Sequence, residues 1–410
     1  MYQASRFSIA MTCPVLQVFL SLIKIVYMKS RMQKIFQGSL TGTAIMCFSL
    51  FNQGCQKAVE PSAQSEAVIA SQPFKNPKTL KDFLQVNLVG NSDEYAPAHI
   101  DQHLINAWGI AFSANGIAWV SSQGGHVSSV YDREGNLLSA RPEVAIPSPG
   151  GPTGGNPTGT VTNIDPNTAD FRLSNNQSGR FFFVGVDGIL SGWNPAAGNF
   201  ALVIKNNSAT SAYTGLTMAV NPAGQYYMYA ANFRAGKIDV WDKNFASVNM
   251  PFTDPGLPAG YSPFNIENVG GQLYVMYAKV GPDGRDEAGP GNGYVDIYDT
   301  NGRLLQRFIS SGQLNAPWGV AKAPAGFFSD GAGEAQPAIL IGNFGDGRIN
   351  AYSLDGRFLG QLRSHGSPII IEGLWAITFP PATSTIDPNR LYFAAGPDDE
   401  EEGLFGYITK

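Results

Sequence analysis

AANFRAGKIDVWDKNF at residues 230–245 and IGNFGDGRINAYSLDG at residues 341–356 are one phrase written twice. Each closes an apolar run on Asn-Phe, as Asn232-Phe233 and Asn343-Phe344. Each then turns through glycine and resumes with alternating apolar and polar residues that end near an aromatic. Period-two alternation on both sides of a glycine turn is the pattern of two antiparallel strands. An internal repeat of this length decides the architecture before any single residue does.

Working outward, the same unit returns from about residue 83 to the end of the chain. It opens on a small residue beside a short apolar strand, near Gly109, Gly159, Gly215, Asn265, Gly319 and Ala376, at spacings of roughly 50–57 residues. A second strand follows at 117–122, 180–186, 226–233, 272–279, 338–344 and 390–396. A third follows at 126–132, 188–194, 236–242, 293–299, 347–353 and 403–409. REGNLLSA (133–140), TNGRLLQRF (300–308) and LDGRFLGQL (354–362) read as a turn and a fourth strand. Six four-stranded antiparallel units make an all-β, six-bladed β-propeller; five or seven blades, or a pair of sandwiches, are the competing counts. The last unit has only three strands, so FLQVNLV at 83–89 is expected to close it as the outer strand, which removes a free edge. Gly109, Gly215 and Gly319 should sit where backbones crowd around the channel. Gly236, Gly293 and Gly347 should take positive φ at turns. Trp108, Trp318 and Trp375 are expected as apolar wedges between blades, with ligand platforms in the channel as the alternative.

Composition agrees with many short strands joined by tight turns. The 410 residues include 47 Gly, 25 Phe, 16 Tyr and 6 Trp, with 43% hydrophobic and 14% charged residues. That is too apolar for a disordered chain and too weakly charged for a coiled coil. The net charge of −5 and the lack of a basic tract argue against a nucleic-acid partner.

The first 55 residues read as an export segment. An apolar stretch at 7–27 is followed by KSRMQK at 29–34 and a second apolar run at 35–51. A start at Met28 or Met32 would give a complete signal peptide, so the first 27 residues read as an over-extended start, with a retained membrane anchor as the alternative. Gly54-Cys55 resembles a bacterial lipoprotein cleavage and lipidation site, although Asn52 departs from that pattern; plain secretion is the other reading. Residues 56–82 are expected to be a flexible linker and 83–410 the propeller. All three cysteines (Cys13, Cys47, Cys55) precede the propeller, which therefore has no disulfide, thiolate nucleophile or cysteine-bound metal. The expected location is extracytoplasmic, and the expected state is monomeric.

Across residues 85–410 the chain resembles an uncharacterised family of exported bacterial proteins with a six-bladed, NHL-like propeller. LINAWGIAF (104–112), GILSGWNP (188–195), YAANFRAGKIDVWDKNF (229–245), LNAPWGVAKAP (314–324) and LIGNFGDGRINAYSLDGRFLG (340–360) carry the resemblance. It implies the fold and export. It implies no activity.

Three groups of residues are candidates for chemistry. Asn106, Thr214, Asn265, Asn315 and Glu372 stand at or just before the opening of the first strand, where a propeller gathers residues around its channel mouth. Their oxygens could hold calcium, which could polarise an ester and activate water. Asp283, Asp286 and Glu287 in one loop, and Asp398, Asp399 and Glu400 in the equivalent loop of the last unit, could also hold calcium; solubilising loop rims are the alternative. His99 and His103 form a weak candidate pair for zinc. The main functional reading is a rigid exported scaffold that binds a protein, a glycan or a small ligand. A calcium-dependent lactonase or esterase at the channel mouth is the alternative. The four histidines make a quinone-cofactor dehydrogenase a poor third choice.

Overall fold

The computed structural model describes residues 80–324, 326–328 and 337–410. The export segment, Cys55 and most of the expected linker lie outside the described residues.

Each blade is a four-stranded antiparallel sheet, and there are six of them. The innermost strands are Ala107–Phe112, Pro157–Thr162, Tyr213–Val220, Tyr261–Val269, Pro317–Lys322 and Leu374–Thr378. Every module opening expected from the sequence lies on one of them. Each innermost strand packs against the next, and the sixth packs against the first, so the ring is closed. The strands alternate small and β-branched or aromatic residues, which suits strands buried on both faces. Leu391–Ala395, Phe181–Gly185 and Ile339–Asn343 are buried along their whole length.

Closure follows the expected route. Leu84–Gly90 pairs antiparallel with Leu404–Thr409, from Leu84 opposite Thr409 to Gly90 opposite Leu404, and becomes the outer strand of the sixth blade. A two-residue strand, His99–Ile100, adds to it in parallel, so the joint is covered once more. Phe83 is fully buried against Phe327, with ring centroids 5.0 Å apart. Leu80 is also buried, so packing begins before the strand itself.

Two local expectations differ from the structure, and two further hairpins are present. REGNLLSA is a turn with a single bridge, Tyr131 to Leu137; the fourth strand of the first blade is Glu143–Ala145. Two small hairpins, Pro147–Ser148 with Gly151–Gly154 and Arg363–Ser364 with Ser367–Pro368, stand outside the blades. Gly236 and Gly347 have φ of 66° and 67°, but Gly293 does not take positive φ. Gly293 is required for a different reason, because a Cβ there would lie 2.5 Å from Pro317 and 2.8 Å from Leu314. The same close approach operates around the channel, where a Cβ on Gly319 would lie 2.7 Å from the Trp375 carbonyl oxygen.

Candidate functional site in the central channel

The six innermost strands run in one direction, so their first residues define one end of the channel and their last residues the other. The two ends differ. At the first end the channel is filled by aromatic rings. Trp108 stacks on Trp375 with centroids 3.4 Å apart, and Phe344 stacks on the same indole at 3.9 Å. Trp318 meets both tryptophans edge-on at 6.1 Å, and Phe264 lies 5.7 Å from Trp375. Trp108 belongs to the first blade and Trp318 to the fifth, Phe264 to the fourth and Trp375 to the sixth. Residues of non-neighbouring blades can touch only near the axis. These tryptophans therefore form one plug inside the channel and are not separate wedges between blades. Two indole N–H groups are anchored, Trp375 Nε1 to Asn106 Oδ1 at 2.9 Å and Trp318 Nε1 to the Thr214 carbonyl at 2.9 Å. Trp108 Nε1 is buried with no partner.

The repeated Asn-Phe phrase explains part of this plug. Asn232 Oδ1 accepts from the Ala235 N–H in the turn, and Asn343 Nδ2 donates to Asp346. Each asparagine fixes a turn whose next residue, Phe233 or Phe344, joins the aromatic cluster.

A latch of loops lies over the same end. Arg285, from the long loop of the fourth blade, reaches Glu400 of the sixth at 2.6 Å, and the other Glu400 oxygen accepts from Asn106 Nδ2 at 2.8 Å. Asp398, Asp399 and Glu400 have φ of 53°, 55° and 72°, a run of left-handed residues that turns this loop back on itself.

Beyond the plug the channel opens. A cavity of about 410 Å³ runs from Gly109 and Gly159 to the ends of the innermost strands. Trp318 forms its floor, and half-buried Phe112 and Phe379 stand at its mouth. Its polar lining includes Thr160, Thr162, Thr378, Glu267 and, at the rim, exposed Lys322. Thr162 Oγ1 donates to the Phe112 carbonyl at 2.7 Å. Thr160 Oγ1 is buried without a partner. Glu267 is half-buried and lines the channel, and among the described residues its side-chain hydrogen-bond partner is Thr217 Oγ1, donating at 3.5 Å. Burial pushes its carboxyl up to about 8, with the Asn268 N–H and the Thr217 hydroxyl opposing the shift. The shift favours the protonated acid, a form that can donate a hydrogen bond as well as accept one.

The structure distributes the sequence candidates differently. Asn106 is committed to Trp375, Glu400 and Gln123. Asn265 Nδ2 donates to the Trp318 carbonyl at 2.9 Å, and its Oδ1 accepts from the Ile266 N–H. Asn315 Oδ1 accepts from the Gly289 N–H at 2.7 Å, and Thr214 makes only a long contact to the Ala231 carbonyl. Glu372 is exposed. Asn106 thus ties side chains of other loops and strands together, while Asn265 and Asn315 bind neighbouring backbone. In the loops, Glu287 pairs with Lys279 at 2.9 Å, Glu400 pairs with Arg285, and Asp283 accepts from the Arg285 N–H. Burial and then the adjacent Glu400 push Asp286 up to about 6. Asp398 and Asp399 are exposed. His103 pairs with Glu143 at 2.7 Å. Among the described residues no three His, Cys, Asp or Glu side chains gather in a set that could hold a metal.

Glu267 and Thr160 were not among the sequence candidates. The available signal was Glu267 in YSPFNIENV, a carboxylate on a strand otherwise read as buried.

No family model matches the chain. An uncharacterized protein of Acanthamoeba polyphaga mimivirus is 33% identical over 331 residues, which cover 79% of this chain and 79% of that protein. A second uncharacterized protein of the same virus is 32% identical over 360 residues, 83% of this chain and 90% of that protein. Among solved structures, virginiamycin B lyase from Staphylococcus aureus matches 80% of this chain and 99% of its own at 13% identity, with a TM-score of 0.45. Regucalcin from Agrobacterium tumefaciens, a calcium-binding protein, matches 75% of this chain and 92% of its own at 14% identity, with a TM-score of 0.43. Such likenesses reflect the propeller fold alone. The curated relatives are viral, so a bacterial exported origin does not follow from them. The chain belongs to the same family as the two uncharacterized mimivirus proteins, with a six-bladed β-propeller as its body.

Proposed function

We propose that this protein is a binding propeller that receives a small, neutral, polar ligand in its blind channel. One observation carries the reading. The channel is plugged at one end and open at the other, and its wall carries the half-buried Glu267 carboxyl together with the Thr378 side chain and an aromatic floor. Buried polar groups left unpaired cost about 1–3 kcal/mol each, and a ligand that pairs them recovers that cost. A cavity of about 410 Å³ with an aromatic floor and a few convergent polar groups has the make-up of a small-molecule site. The expected monomeric, extracytoplasmic state belongs to this proposal and is supported by the closed ring and by the apolar run at 35–51.

The test is a thermal-shift screen of neutral polar small molecules, followed by calorimetric titration of the hits. Thr378→Trp places an indole at the mouth of the cavity. It should weaken binding about tenfold or more while the melting midpoint of the free protein stays within a few degrees. Hits that bind wild type and Thr378→Trp equally would bind elsewhere and sink the proposal.

A further inference from the structure

The channel cavity does not end at its rim. Val269, Gly270 and Lys322 line it and also line a groove of about 310 Å³ between the fourth and fifth blades. Tyr274, Ile297 and Ile339 form the buried floor of that groove. Leu305 and Leu354 stand exposed along it, at 40% and 47%, and the amides of Gln272 and Gln306 are exposed there as well. The two spaces together offer roughly 700 Å³, within the range of ligand sites. They meet at Val269, Gly270 and Lys322.

We propose that the site takes the end of a neutral oligosaccharide chain, its terminal ring in the channel and its next rings along the groove. This inference rests on the channel reading above and names its ligand class. A sugar ring has apolar C–H faces and a rim of hydroxyls, so its site needs apolar or aromatic faces together with uncharged donors and acceptors. The channel supplies Trp318, Phe112 and Phe379 as apolar walls, and Thr378 and Glu267 as hydrogen-bonding groups. The groove repeats the combination with apolar walls and glutamine amides. A purely apolar ligand would strip water from the Glu267 carboxyl without replacing the lost hydrogen bonds, which is costly. A polyanion would meet one ammonium, Lys322, and no second cation in either lining. The aromatic plug closes the far end, so a chain enters by its terminus and cannot thread through.

The full chain would be probed on an array of neutral oligosaccharides of varied sugar and linkage, and each bound series titrated by calorimetry from one ring to five. Affinity should rise about tenfold or more between one ring and four. The exposed pair Gln306→Ala with Leu354→Ala should remove that gain and leave the affinity for a single ring, which occupies the channel alone, unchanged. Glu267→Gln, which keeps shape and neutrality but replaces the acid hydroxyl, should weaken every length by a similar factor. Single-ring binding without a gain in length would overturn the groove assignment and leave the channel reading intact. Binding of no array member overturns the oligosaccharide inference, while other small-molecule hits that Thr378→Trp abolishes would still support the channel site. Loss of both kinds of binding would remove the two together.

Discussion

Replacing Glu267 with glutamine tests whether the channel holds a protonated acid. In an unfolded chain the carboxyl titrates near 4.5, whereas burial in the channel pushes it to about 8. The raised value means that the folded state holds a proton the unfolded state has lost. Stability from this group is fully present below pH 4.5 and is lost as pH rises toward 8, the reverse of an ion-paired carboxylate. Each pH unit in that window is worth up to about 1.4 kcal/mol, so the full span corresponds to about 5 kcal/mol as an upper limit. Water entering along the channel lowers this, and a difference of about 2–4 kcal/mol is expected. Glutamine mimics the protonated acid at every pH. Urea unfolding of both proteins at pH 5, 7 and 9 should therefore show the smallest difference at pH 5, most of the advantage for Glu267→Gln already present at pH 7, and a plateau above pH 8. All other titrating groups cancel in the difference. Parallel pH profiles, separated by less than about 1 kcal/mol at pH 9 relative to pH 5, would refute a desolvated Glu267.

Trp375→Ala removes the ring on which Trp108 and Phe344 both stack, and should cost about 3–5 kcal/mol in urea unfolding, as large aromatic truncations in cores do. A loss below 1 kcal/mol would mean that the plug is not packed as described. Deleting residues 80–90 removes the strand that closes the sixth blade, and should abolish cooperative thermal unfolding; a sharp, near-native transition would contradict closure. Calcium titration of wild type and of Glu372→Gln should give indistinguishable heats, since Glu372 is exposed and has no partner carboxylates gathered around it; a site lost in the variant would restore the metal reading. Cys55→Ser should shift the protein from the membrane fraction to the soluble extracytoplasmic fraction of an expressing bacterium if Cys55 is lipidated, and an uncleaved cytosolic chain would exclude export.

The sequence by itself determined the fold, because a propeller repeats its strand pattern in the chain. Alternating residues around a glycine turn report strand, face and hairpin locally, and six copies with a missing fourth strand report ring and closure. That is why Gly109, Gly215 and Gly319 could be placed at the channel from the phrase they begin. The site was less legible. Trp108, Trp318 and Trp375 stand in three separate repeats, and only the closed ring brings blades one, five and six to a common axis where the indoles stack. Asn106 and Glu400 are almost three hundred positions apart and become hydrogen-bond partners through the same closure. Asn265, Asn315 and Asn106 share the chemistry of ligands, yet their neighbours decide that the first two bind backbone and the third joins side chains of distant segments. Glu267 shows the limit most plainly. Its letter says only that a carboxyl is present, whereas its protonation depends on how much water the finished channel admits, and that is a property of all six innermost strands at once.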